Sequence, residues 1–81
     1  MREAIGSLSI YTVYENPSDY PGHIVVRRFV TSADGVKADA LPIAIVLTLD
    51  EARSAIRRVC PGLTRFPRHP EDDDPIVECW L

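Results

Sequence analysis

Within the segment Asn16–His23 the chain places a carboxylic acid, a phenol and an imidazole close together, as Asp19, Tyr20 and His23, with Arg27 four residues further on. A carboxylate bonded to an imidazole is a pairing used for general acid–base chemistry. Pro17 and Pro21 have no amide hydrogen and Gly22 tolerates positive φ, so the segment reads as a fixed turn that holds these side chains rigidly. No nucleophile stands beside them except Ser18. A ligand or partner surface made of Asp19, Tyr20, His23 and Arg27 is therefore the functional reading, ahead of catalysis. A fold-specific corner that sets strand register, with Tyr20 buried, is the simpler explanation of the same residues.

His69 to Asp74 is the second group. Carboxylates suit Mg²⁺ or Ca²⁺, and His69 could join them around a transition metal. Four consecutive acids, Glu71 to Asp74, cannot all converge on one ion without a tight turn. The alternating ligands and central glycine of a calcium loop are absent. The segment reads as a solvated turn that keeps a neighbouring edge strand soluble, and no metal or cofactor is assigned. Cys60 and Cys79 lack the spacing of a familiar zinc or redox motif and read as inert reduced thiols. Arg27, Arg28, Arg53, Arg57, Arg58, Arg65 and Arg68, with Tyr11, Tyr14 and Tyr20, would suit single-stranded nucleic acid if they shared a face. A net charge of −3 argues against that reading, and pairing with Glu15, Asp50, Glu51 or the acidic loop accounts for the arginines.

Eighty-one residues make one domain, residues 1–81, with residues 1–7 expected to fray. A chain this short buries roughly 60% of its unfolded surface, enough for one thin core but not for a deep enclosed site. Hydrophobic residues at 46% and charged residues at 26% exclude a disordered segment. No apolar run approaches the roughly 20 residues needed to cross a bilayer, and the N-terminus has no signal-peptide pattern. A cytoplasmic protein without membrane attachment is the expectation.

The elements that must position these groups are short. Leu8 to Glu15 and His23 to Thr31 read as strands rich in β-branched and aromatic residues. In the second, the face with Ile24, Val26, Arg28 and Val30 is the more apolar and is expected to meet the core. Ser32 to Asp39 reads as a loop, and Pro42 to Leu47 contains a short strand. Thr48-Leu49-Asp50-Glu51 is a capping box, in which Thr48 accepts from the Glu51 amide and Glu51 reaches back. Leu49, Ala52, Ile56 and Val59 then recur at helical spacing, acids stand at the positive end of the helix dipole and Arg57 and Arg58 at the negative end, and Cys60-Pro61-Gly62 ends the helix. Leu63 to Phe66 and Ile76 to Leu81 complete the set. The expected fold class is α+β: a small antiparallel sheet in the order β-β-(β)-α-β-β, with one amphipathic helix on one face.

The run Tyr14-Glu15-Asn16-Pro17-Ser18-Asp19-Tyr20-Pro21-Gly22-His23-Ile24-Val25-Val26-Arg27 resembles a family of small bacterial proteins with no established activity. Thr48–Arg53, Pro61–Pro67 and Asp73–Trp80 fit the same likeness, which spans Tyr14 to Leu81. It implies a stand-alone bacterial domain and carries over no catalytic residue. With no catalytic spacing and with sheet edges that must be covered or paired, the expected function is a non-enzymatic binding or protein-interaction module, its partner another protein or a second copy as a homodimer. The alternatives are a small enzyme or divalent-metal binder using Asp19 and His23 or the 69–74 loop, and a weak single-stranded nucleic-acid binder.

Overall fold

Strand β1 (Leu8–Glu15) and strand β2 (Ile24–Ser32) form where β-branched and aromatic residues are densest, and they pair antiparallel along their whole length, from Leu8 opposite Thr31 to Glu15 opposite Ile24. The computed structural model describes residues 8–69 and 75–81. The N-terminal fraying and the cation-binding reading of the acidic stretch concern residues outside these. Strand β3 (Gly35–Ala38) folds back on β2, β4 (Ala44–Val46) pairs with the other end of β2, and after helix α1 (Leu49–Val59) come β5 (Arg65–Pro67) and β6 (Ile76–Trp80). Six strands make one antiparallel sheet in the order β3-β2-β1-β6-β5, with β4 beside β2. The fold is α+β, as expected.

The hairpin β2–β3 corrects the reading of Ser32 to Asp39 as a loop. Ser32 pairs with Gly35 across a two-residue turn, and Gly35 adopts a φ of 111° that a side chain would resist. All four residues of β3 are exposed, so the strand rests on its backbone ladder and leaves no hydrophobic alternation to detect.

Helix α1 begins where its local signals place it. Thr48 is extended, at φ −128° and ψ 154°, and its hydroxyl oxygen accepts from the Glu51 amide at 3.2 Å. The Glu51 carboxylate closes the box by accepting from the Thr48 hydroxyl at 3.0 Å, in place of the Thr48 amide. Ala52 and Ile56 are fully buried against Tyr11, Val13, Ile24, Val26 and Trp80, the face of β2 that the pattern selected. Val59 departs from the expected helix face: it is 52% exposed, and the turn after the helix brings Cys60 and Leu63 to the core.

Candidate functional site

Three features bear on function, two groupings of polar side chains and one sheet face. The first is the corner between β1 and β2. Asn16 takes a φ of 51°, its side-chain oxygen accepts from the Gly22 amide at 2.7 Å, and its own amide donates to the His23 carbonyl at 2.9 Å. Tyr20 donates its amide to the Pro17 carbonyl at 3.1 Å, and Pro17 is buried. These bonds make the segment the rigid turn that its prolines imply. On it the Asp19 carboxylate pairs with the Arg27 guanidinium, which lies over the Tyr20 ring, 5.9 Å from its centroid. His23 directs Nδ1 to the Pro21 carbonyl at 3.0 Å. The corner thus joins three of the four predicted residues, Asp19, Tyr20 and Arg27, and leaves His23 with a backbone partner. The Asp19–His23 acid–base pair is not formed. Tyr20 is half-buried rather than enclosed.

The second grouping escaped the sequence reading. Glu78 lies on the helix side of β6 and is 1% exposed. It accepts from Arg53 twice, at 3.1 Å from Nε and 2.8 Å from Nη2, and from the Trp80 indole nitrogen at 2.8 Å, while Arg65 Nη1 approaches to 3.6 Å. Burial pushes the Glu78 carboxyl up, but the hydrogen bonds from Arg53 and Trp80 and the charges of Arg53 and Arg65 outweigh it, so the group sits below the ordinary carboxylate range. The same hydrogen bond holds the Arg53 guanidinium above its usual value. Arg57 lies 5.7 Å from the centroid of the Trp80 ring. The arrangement neutralises a buried carboxylate and ties α1 to β6 and β5. Arg28 in turn makes a two-pronged contact with Asp39, at 2.9 and 3.1 Å. Among the described residues the arginine ion pairs run to Asp19, Asp39 and Glu78 rather than to the expected Glu15, Asp50 and Glu51, and the expected pairing with the acidic loop lies outside these residues.

The third is the sheet face away from the helix. Register places Leu8, Ile10, Thr12 and Tyr14 of β1, Arg27 and Phe29 of β2, Val36 of β3, Ile45 of β4, Cys79 of β6 and Phe66 of β5 on it. Leu8, Val36, Ile45 and Phe66 are exposed, and Ile10 and Phe29 are half-exposed. The corner reaches over this face through Arg27. Exposed apolar side chains from five strands thus flank the charged and aromatic corner, whose Arg27 lies on this face between Val25 and Phe29.

The array that nucleic-acid stacking requires is not formed: Tyr11 is 4% exposed inside the core, and Arg53 and Arg57 lie on the helix layer, across the sheet from Tyr14 and Arg27. Cys79 lies 3.8 Å from the Thr12 hydroxyl on the open face, whereas Cys60 packs on the helix side. Among the described residues no three His, Cys, Asp or Glu side chains are grouped to hold a metal ion, and no helix is long and apolar enough to cross a membrane. Comparison with known proteins finds no matching family model, no similar curated protein and no similar solved structure.

Proposed function

We propose that the chain is a non-enzymatic protein-interaction module that binds a partner on the open face of its sheet. The observation that carries this reading is the set of apolar side chains left exposed on the sheet face away from the helix, around a centre where Val25 and Thr12 are buried. The helix covers Tyr11, Val13, Ile24, Val26 and Trp80, while Leu8, Val36 and Phe66 stand exposed on the far side with Phe29 between β1 and β3. Exposed apolar side chains set among polar and aromatic groups are how protein contact sites are built. The Asp19–Arg27–Tyr20 corner supplies that rim and sets the orientation of a partner. The resemblance to small bacterial proteins makes a bacterial lysate the source in which to look.

Capture from such a lysate, with and without nuclease, tests the reading when wild type is compared with Phe29→Glu. Phe29 is half-exposed and outside the helix-side core, so the variant should keep a cooperative melt. A protein retained by wild type despite nuclease and lost with the variant is the expected result. Identical capture by both would remove the open face from the proposal, and loss of the captured protein on nuclease treatment would replace it with a nucleic-acid function.

A further inference from the structure

Three strand edges face outward among the described residues, those of β3, β4 and β5. Two carry residues that deter pairing with another sheet: Pro67 in β5, which has no amide hydrogen, and Lys37 in β3. Strand β4, Ala44-Ile45-Val46, has neither charge nor proline. Beside it runs a groove of about 540 Å³, lined by these three residues and by one stripe of α1. No residue of β2 lines the groove, so it follows the outer side of β4.

The stripe is Asp50 and Glu51, Ser54, Ala55 and Arg58, with Glu51, Ser54, Ala55 and Arg58 at i, i+3, i+4 and i+7. It runs from two acids through two small residues to a base. The Glu51 carboxylate is held by the Thr48 hydroxyl, and Arg58 has no ion-pair partner among the described residues. Such a stripe is complementary to itself when reversed. A two-fold axis beside β4 would set two copies of the helix antiparallel, with Ser54 and Ala55 permitting close approach. Each Glu51 would then face the partner's Arg58.

We propose that the chain pairs with a second copy of itself through β4, in antiparallel β4–β4 and α1–α1 contacts that join the two sheets edge to edge. The inference deepens the interaction-module reading and uses the β4 edge, which adjoins the open face at Ile45.

Sedimentation velocity from low to high micromolar protein, on the full chain, is the measurement. Wild type should reach about twice the 9.1 kDa chain mass. Arg58→Glu sets Glu against Glu twice across the axis, and Glu51→Lys sets Lys against Arg twice. Each should weaken self-association on the order of 100-fold. Mixing the two variants restores opposite charges at both contacts and should yield a mixed dimer. Because Glu51 also serves the helix cap, Ile45→Lys on the exposed side of β4 is a second, independent disruption, expected to give a monomer with an unchanged melting transition. A wild-type monomer at every concentration, a dimer indifferent to Arg58→Glu, or variants that fail to combine would each overturn the proposal. So would a monomer whose β4 amides gain exchange protection only with a different protein, which would give the groove to that protein. A monomer that still loses a captured partner on Phe29→Glu sinks self-pairing and leaves the open-face reading standing. A charge-sensitive dimer with no open-face partner supports the pairing and removes that reading.

Discussion

Glu78 shows how a single side chain can hold a small fold together and still be silent in the sequence. It sits between Val77 and Cys79 like any polar residue in a strand, yet its carboxylate points into the helix layer and is 1% exposed. Its partners are Arg53, 25 residues earlier, and Trp80, two residues later on the same side of β6. Nothing local marks the first of these. Glu78→Ala leaves the buried Trp80 indole N–H without its acceptor and Arg53 without its carboxylate, so stability at neutral pH should fall by about 1 to 3 kcal/mol in denaturant titration. The folded carboxyl lies below its ordinary value of 4.5, so its contribution is present above that pH and is lost as pH falls through the folded value. The stability gap between wild type and Glu78→Gln should accordingly narrow below about pH 4.5. An equal gap at neutral and acid pH would show that the carboxylate charge contributes nothing. The corner residues were more legible, because Pro17, Pro21 and Gly22 constrain their own backbone. The choice of Arg27 over His23 as the partner of Asp19 was not, since both lie within reach in sequence.

At the scale of elements, the helix was readable because its signals are local and agree. The cap, the acids of its first turn, the basic last turn and the stop all lie within Thr48 to Gly62. Thr48→Ala should cost about 1 kcal/mol, read as a lower melting temperature with the fold retained. Ile56 is fully buried at the centre of the helix-side core, and Ile56→Ala should cost between about 2 and 5 kcal/mol. Ile56→Asp should abolish the cooperative transition, because it puts an unpaired charge in that core, and a variant that still melts cooperatively would mean the helix docks elsewhere. Strand β3 was invisible for the converse reason: Gly35-Val36-Lys37-Ala38 buries no side chain, and only the Asp34-Gly35 turn hinted at a hairpin. The β2 face toward the helix was legible from alternation alone. The burial of Val25 on the opposite face was not, because the corner that reaches over that face is set by tertiary contacts.

For the molecule as a whole, strand order is a long-range property that alternation and caps leave open. The sheet separates Cys60, on the helix side, from Cys79, beside Thr12 on the open side. Mild oxidation should therefore give no internal disulfide. A faster-migrating monomer on non-reducing electrophoresis would contradict that placement. The central position of β1 bears on how the protein is made. One edge of β1 is met early by β2, but the other waits for β6, and Thr12 and Cys79 are 67 residues apart. The stretch from the end of β2 at Ser32 to Cys79 takes roughly 2 to 9 seconds on a ribosome. Throughout it the nascent chain carries a half-zipped middle strand, and Arg53, once made, lacks the carboxylate it will clasp. Assembly thus closes in one late stroke, and a holding chaperone would find its client in that window.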